Sequence, residues 1–187
     1  VNNQIAQKLI LFFAMIAIIS SCNKDNAQSS GSGNNNPPQG ESTADITLTA
    51  GGQEFKVAGP CGWASAAGTH YIGSNHATNN LRTFSAYFNI ENPPTQTTTY
   101  ILVDDELDTD PTHITMAISE ISGNTLTEWN STNASGTLTL TVVGNKITAD
   151  LSGIVLSPQT NSGFFTNGNV GAFANPGTLS GTLVFYI

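Results

Sequence analysis

The sequence predicts an all-β protein with a single antiparallel β-sandwich domain, and a small β-barrel is the alternative arrangement. Charged residues make up only 10% of the 187-residue chain, while threonine, serine, asparagine and glycine are frequent. This composition is typical of strands that meet water through hydroxyl and amide groups. Apolar and polar residues alternate in several segments after position 44, whereas no window of 11 residues after Cys22 has a helical period.

The first 21 residues have the features of an export signal. Lys8 is followed by eleven uninterrupted apolar residues, LILFFAMIAII. A helix of this length measures about 16 Å, about half of the ~30 Å that a hydrocarbon core requires. The segment is therefore predicted to be a signal peptide (residues 1–21) rather than a permanent membrane span.

The small residues Ser20 and Ser21 before Cys22 resemble the lipobox of bacterial lipoproteins. The resemblance implies that Cys22 receives a diacylglycerol, that the peptide is cut before it, and that the new amine is acylated. At the position that Ile19 occupies here, leucine is the commonest residue of the lipobox, so Ile19 departs from the usual pattern. Several acyl chains hold a protein at a membrane almost irreversibly, so the resemblance implies a membrane partner. The alternative is an ordinary secretory signal cut near Ser21.

Residues 22–43 are predicted to form a lipidated cysteine and a flexible tether. The sequence NKDNAQSSGSGNNNPPQGEST contains no aliphatic residue larger than Ala27, so it has too little apolar surface to bury. About 20 such residues would hold a domain some ~25 Å from the lipid. The stretch CNKDN resembles the acidic export signals of Bacteroidetes lipoproteins. That resemblance implies that the protein is anchored in the outer membrane and exposed at the cell surface. The alternative is that it faces the periplasm.

Residues 44–187 are predicted to form the folded domain, because two hairpins can be paired by register. Gly51-Gly52 and Gly144-Asn145 are typical of two-residue turns, and each places apolar residues opposite one another on one face. The predicted opposite pairs are Leu48 with Phe55, Ile46 with Val57, Val142 with Ile147, Leu140 with Ala149, Leu138 with Leu151, and Thr141 with Thr148.

A third hairpin and three further strands are predicted, which gives eight or nine strands in all. A third hairpin at Gly123-Asn124 aligns Ile118 with Trp129 but places Ile121 and Leu126 on the other face, which indicates a bulge as one arrangement. The other strands are predicted at 82–90, 98–103 and 179–187. The stretches SGTLTLTVVGNKITADLSGIVL and NPGTLSGTLVFYI resemble the C-terminal halves of small β-sandwich lipoproteins of the Bacteroidetes group. No active site follows from that resemblance.

The acidic segment DDELDTDP, residues 104–111, is the first candidate site. Its carboxylates alternate, as oxygen ligands around Ca²⁺ can. The EF-hand pattern does not fit, because the sixth and twelfth positions are Thr109 and Thr115. A Ca²⁺ site of another geometry is one prediction for this segment, and a solvated acidic loop is the alternative. The candidate ligands are Asp104, Glu106, Asp108 and Asp110.

Aromatic residues are the second candidate site, because flat rings stack on sugars in many β-sandwich binding modules. Trp63, Tyr71 and Trp129 are the candidates, and burial in the core is the alternative for each. Trp129 in particular is expected to be buried opposite Ile118. Cys61, in GPCGW, is predicted to be a small buried residue in a tight turn, with a reactive thiol as the alternative.

Composition and motifs favour a binding protein over an enzyme. The net charge of −8 repels phosphates and disfavours nucleic acid as a partner. The sequence contains no GxSxG elbow, phosphate loop or dinucleotide fingerprint, and His70 and His76 do not have a metal-site spacing. Carboxylate pairs for glycoside hydrolysis have no sequence motif, so that activity stays open.

The expected function is a lipid-anchored cell-envelope protein with a binding or adhesion role. Its ligand would be extracellular, a glycan or a protein. One alternative is an assembly subunit that donates its terminal strand, GTLVFYI, to a neighbour. Another is a Ca²⁺-binding envelope protein. The sequence carries no signal for the oligomeric state.

Overall fold

A computed structural model describes residues 40–66, 68–105, 108–160 and 163–187. Cys22, the export signal and most of the tether lie outside the described residues. These residues form twelve strands and one 3₁₀ helix, Gly171–Ala174. The strands are β1 (Thr43–Ala50), β2 (Gln53–Ala66), β3 (Thr69–His76), β4 (Asn79–Phe88), β5 (Thr98–Leu102), β6 (His113–Ser122), β7 (Thr125–Asn130), β8 (Thr137–Val143), β9 (Lys146–Asp150), β10 (Val155–Pro158), β11 (Thr166–Asn167) and β12 (Gly177–Tyr186).

Nine of the strands close into a barrel in the order β1-β2-β3-β4-β6-β5-β8-β9-β12, and β12 returns to β1. The all-β prediction is confirmed, and the closed ring corresponds to the small barrel rather than to the sandwich. The barrel closes because β12 pairs with β1 along the whole of β1, from Thr43 opposite Val184 to Ala50 opposite Gly177. This pairing leaves no open edge between the first and last strands.

The barrel interior is a continuous apolar core. Most inward-facing positions are apolar and buried, and Ser74 on β3 is a buried polar exception. The largest fully buried side chains are Trp129, Tyr71, Phe55, Phe84 and Phe185, of which Tyr71 alone lies apart from the core cluster. Most neighbouring strands are antiparallel, but β5 runs parallel to β6 and β11 runs parallel to β7. No helix among the described residues has the length and apolar character needed to cross a membrane.

The register of the first hairpin is confirmed. Leu48 lies opposite Phe55 and Ile46 lies opposite Val57. Gly51 and Gly52 both have positive φ, at 55° and 79°, as a primed two-residue turn requires.

The second hairpin is confirmed near its turn and differs farther away. Val142 lies opposite Ile147 and Thr141 opposite Thr148, but β8 pairs with β9 only over the last three residues of β8. Before that point β8 pairs with β5 instead. The pairs Leu140 with Ala149 and Leu138 with Leu151 are therefore not formed, although all four side chains are buried as predicted.

The third hairpin has no bulge. β6 and β7 pair without interruption, with Ile118 opposite Trp129 and Ile121 opposite Leu126. Trp129 is fully buried, as expected. Cys61 is also buried, but it lies within β2 rather than in a tight turn, because β2 continues through Ala66 and pairs with β3.

The barrel wall divides at β6 and rejoins at β12, and we call this division the fork. The start of β6 pairs with β5 and its end pairs with β7, while β4 pairs along its other side. In the same way, the end of β12 pairs with β9 and its start pairs with β10. The strands β7 and β10 pair with each other. The fork therefore has a lower branch, β5-β8-β9, and an upper branch, β7-β10.

Candidate ligand-binding site

A half-open pocket of about 210 Å³ lies on the outer surface where the two branches of the fork separate. Strands β4, β6, β7 and β10 and the segments after β5 and β7 contribute to it. The residues that give the pocket its chemistry are Tyr87, Asp104, Thr115, Asn130, Ser157 and Gln159.

Strand register brings these side chains together. Tyr87 on β4 lies directly opposite Thr115 on β6. One row along, Ala117 lies opposite Asn130, and Asn130 lies opposite Ser157. Directly opposite residues on neighbouring strands point to the same face, so the two rows form adjacent walls on the outer surface.

Ser131 fixes the shape of the pocket floor. Its hydroxyl accepts a hydrogen bond from the Met116 N–H (2.9 Å) and donates one to the Val103 carbonyl (2.6 Å). Its own N–H donates to the Met116 carbonyl (2.8 Å). Ser131 is buried, and through these bonds it ties β6 to the segment after β5. The divided strands are therefore held at a defined separation.

The pocket offers neutral hydrogen-bonding groups. Within the described residues, the side chains of Thr115, Asn130 and Ser157 make no hydrogen bond to another protein group. Of the residues that the structure describes, no lysine, arginine or histidine lines the pocket, and Asp104 is the one charged residue there. Tyr87 adds an aromatic wall, with its ring centroid 5.9 Å from that of Tyr71. Such a site suits an uncharged ligand with many hydroxyl groups.

The predicted aromatic platform is not formed at the predicted residues. Trp129 is fully buried in the barrel, and its indole N–H donates to the Asn175 carbonyl (3.1 Å). Tyr71 is buried as well, so neither ring has a face open to solvent. Trp63 is partly buried and packs on Phe88, with centroids 4.9 Å apart. The three rings are not brought into one site, and the aromatic residue of the pocket is Tyr87.

The carboxylates of the acidic segment are engaged in local contacts. The Asp108 carboxylate contacts Nδ1 of His113 (2.7 Å) and accepts from the Asp110 N–H (2.7 Å). The Asp110 carboxylate accepts from the N–H and the hydroxyl of Thr112 (2.8 and 2.6 Å). Asp104 lies at the pocket, and Glu106 lies outside the described residues.

Among the described residues, no group of three or more histidine, cysteine, aspartate or glutamate side chains is arranged to hold a metal ion. The calcium site at residues 104–110 therefore stays a prediction. If it forms, about 10 mM Ca²⁺ should raise the melting temperature by about 2–4 °C relative to EDTA, and Asp108→Asn with Asp110→Asn should abolish the shift. Identical melting curves in Ca²⁺ and EDTA would contradict the site.

The Asp108–His113 contact makes stability depend on pH. The hydrogen bond with His113 lowers the pKa of Asp108 below its ordinary 3.8, and the same bond raises the pKa of His113 above its ordinary 6.5. The aspartate contribution is present above pH 3.8 and is lost as the pH falls through the lowered pKa. The histidine contribution is present below pH 6.5 and is lost as the pH rises through the raised pKa. The pair therefore stabilises the fold fully between these two values.

We expect His113→Gln to lower the melting temperature most between pH 4 and 6.5. The difference from the unmodified protein should shrink at higher pH, where His113 is neutral in both states. Thermal melts followed by circular dichroism over this range measure it. His76→Gln is the control, because among the described residues the ring of His76 is hydrogen-bonded only to Thr78 in its own turn. An equal difference at every pH would contradict the prediction.

Comparison of the chain with protein-family models, with curated proteins and with solved structures found no match.

Proposed function

We propose that this chain is a lipid-anchored cell-envelope protein whose barrel binds a neutral extracellular glycan in the fork pocket and catalyses no reaction. The observation that carries the proposal is the set of uncharged donors and acceptors around Tyr87. A pocket of about 210 Å³ is smaller than the ~300–1,000 Å³ typical of sites that enclose a drug-sized molecule. It would therefore hold one unit of a longer chain.

The chemistry of the pocket matches the surface of a sugar. Sugar hydroxyls both donate and accept hydrogen bonds, and the amide of Asn130 and the hydroxyls of Thr115 and Ser157 do the same. The aliphatic face of a sugar ring can pack on the ring of Tyr87. A phosphate ligand is disfavoured, because no cationic side chain is found among the described residues of the pocket lining and the chain is acidic.

Binding to an array of neutral glycans tests this function. The full chain carrying Cys22→Ser, which keeps the protein in solution, is the reference. We expect Tyr87→Ala to weaken binding by more than about tenfold and Asn130→Ala by about fivefold to tenfold, because each removes a ligand contact. Asn124→Ala is the matched control, since Asn124 is exposed in a distant turn. Binding that survives both pocket substitutions would place the ligand elsewhere, and binding to no glycan would contradict the ligand class.

Membrane attachment is proposed to depend on Cys22. Cys22→Ser is expected to release the protein from membranes, because the apolar signal alone is too short to span them. Incorporation of radioactive fatty acid and fractionation of cells measure the effect, with Cys61→Ser as the control. A wild-type protein that takes up no label and is found in the soluble periplasm would contradict the lipid anchor.

The proposed location is the outer membrane with the domain at the cell surface. Protease digestion of intact cells tests the orientation, since a domain on the periplasmic face would be protected. The alternative of an assembly subunit is less favoured, because donation would require β12 to leave its partners β1, β9 and β10.

A further inference from the structure

Asp104 is the one charged residue among the described residues that line the fork pocket. The other polar side chains described there carry neutral hydroxyl or amide groups. Asp104 is also exposed, so it lies at the rim of the pocket rather than in its floor. A ligand that enters the pocket therefore comes close to one negative charge.

The residue before Asp104 holds it beside the pocket. The Val103 N–H donates to the Ile114 carbonyl (3.0 Å), and the Val103 carbonyl accepts from the Ser131 hydroxyl (2.6 Å). Val103 and Ser131 are both buried, so these two bonds are shielded from water. The Asp104 carboxylate is therefore attached to a stretch of backbone that is tied to the pocket floor, and it stays near a bound ligand.

No lysine or arginine of the described residues lies at the pocket to offset this charge. These two residue types occur at three described positions. Lys56 pairs with Asp45 (2.9 Å) and Arg82 pairs with Glu120 (2.7 Å). Lys146 lies at the turn between β8 and β9. A negatively charged ligand would therefore find no described cationic side chain in the pocket.

His113 does not provide a positive charge either. It lies on β6 two residues before Thr115, which lines the pocket. Its Nδ1 contacts the Asp108 carboxylate (2.7 Å), so a proton on the ring is matched by the negative charge beside it. At neutral pH this pair carries no net positive charge. The charge that a ligand meets at the rim is therefore the negative charge of Asp104.

The charge of a sugar decides how it interacts with this rim. Two like charges ~6 Å apart near a protein surface repel strongly enough to weaken binding by about tenfold, and opposite charges attract by a similar amount. The hydroxyl and amide groups of the pocket contact the hydroxyls that neutral and charged sugars share. A repulsive group built into a site is one way in which proteins reject a competing ligand.

We propose that Asp104 makes the fork pocket select sugars by charge and exclude acidic units such as uronic acids. This inference rests on the proposed glycan function and narrows its ligand class. A neutral hexose meets hydrogen-bonding partners, whereas a uronic acid brings a second carboxylate to the rim. An amino sugar with a protonated amine brings the opposite charge. Affinity therefore rises from the acidic to the neutral to the cationic sugar.

Binding of three sugars that share one ring to the full chain carrying Cys22→Ser tests the selection. The probes are oligosaccharides of glucose, glucuronic acid and glucosamine, and a second set of galactose, galacturonic acid and galactosamine. At low ionic strength the neutral sugar should bind at least about tenfold more tightly than the acid, and the amino sugar about threefold more tightly than the neutral one. Asp104→Asn should reduce the first ratio below about threefold and bring the second close to one.

The salt dependence separates an effect of charge from an effect of shape. Exposed charges are screened by salt, so raising the ionic strength from ~20 mM to ~0.5 M should reduce both ratios in the reference chain. Glu54→Gln is the matched control, because it removes one charge from an exposed position on the β1–β2 hairpin and should leave the ratios unchanged. Asn130→Ala removes a group that contacts all three sugars and should weaken their binding alike.

The possible failures of the two proposals are distinguishable. If the neutral sugar binds and Asp104→Asn leaves the ratios unchanged, selection by Asp104 is wrong and the glycan function stands. An acidic sugar that binds the reference chain as tightly as the neutral one has the same meaning. A chain that binds no member of either set contradicts this inference, and one that also binds none of the neutral glycans on the array contradicts the proposed function as well.

Discussion

Leu140→Asp is expected to leave the barrel unfolded at room temperature. Leu140 is 0% exposed in the core, on a strand that lies between β5 and β9. A carboxylate there would lie among the apolar side chains of the core. Burial of an unpaired charge costs several kcal/mol in addition to the lost apolar contact of about 2 kcal/mol. Since domains of this kind are stable by only about 5–15 kcal/mol, the substitution removes most or all of the net stability.

The neighbouring residue provides the control. Thr141 is exposed on the opposite face of the same strand, so Thr141→Lys should change the free energy of unfolding by less than about 0.5 kcal/mol. Far-UV circular dichroism and urea titration of both variants measure the contrast. If both substitutions unfold the protein, the outer face of β8 is buried in solution and the inward–outward assignment of this strand is wrong.

Gly181→Ala is expected to destabilise the barrel by at least about 3 kcal/mol. Gly181 lies on β12 opposite Ile46 and has a φ of 106°, a value that side chains other than glycine rarely adopt. A Cβ there would also clash with the Asp45 carbonyl oxygen and lie 3.2 Å from the Ile46 Cα. Both strands are held by backbone hydrogen bonds, so the seam between β12 and β1 would have to separate locally.

A second glycine distinguishes the clash from the effect of φ. Gly123 also has a positive φ, at 59°, but a Cβ there meets nothing within 4 Å. Gly123→Ala should therefore cost only about 1 kcal/mol, as measured by chemical denaturation. Equal losses at the two positions would show that the close approach of β12 and β1 has little energetic importance.

Local hairpins were the part of the fold that the sequence predicted best. Around Gly51-Gly52 the apolar residues fall opposite one another in only one register, and that register is the one observed. The same reasoning was correct at Val142 and Ile147 but failed at Leu138 and Leu140. There β8 leaves β9 for β5, and the residues of the hairpin itself carry no information about a third strand.

Closure of the strands into a barrel was not predictable from the alternation of apolar and polar residues along each strand. It depends on pairing of Thr43 with Val184, which are separated by almost the whole domain, and a sandwich would produce the same local pattern. Strand β3 was missed for a different reason. Five of its eight residues, from Tyr71 to Asn75, are buried on both faces, and burial on both faces removes the alternation by which a strand is recognised.

The pocket was not predictable because register assembles it from separate strands. Thr115, Asn130 and Ser157 have no characteristic spacing, and each is an ordinary outward residue of its own strand. Tyr87 was recognisable as one of several aromatic residues, but only its position opposite Thr115 separates it from the buried rings of Tyr71 and Trp129.

Because the barrel wall divides at the fork, its strands form two closed rings rather than one. A path through β6, β7, β10 and β12 forms a second complete ring that shares β1, β2, β3 and β4 with the nine-stranded one. The upper branch is joined by short ladders, only two residue pairs each at β7–β10 and β10–β12. This branch can therefore open as a separate cooperative unit while the larger ring stays intact. The pocket borders that branch, so its width can change without global unfolding.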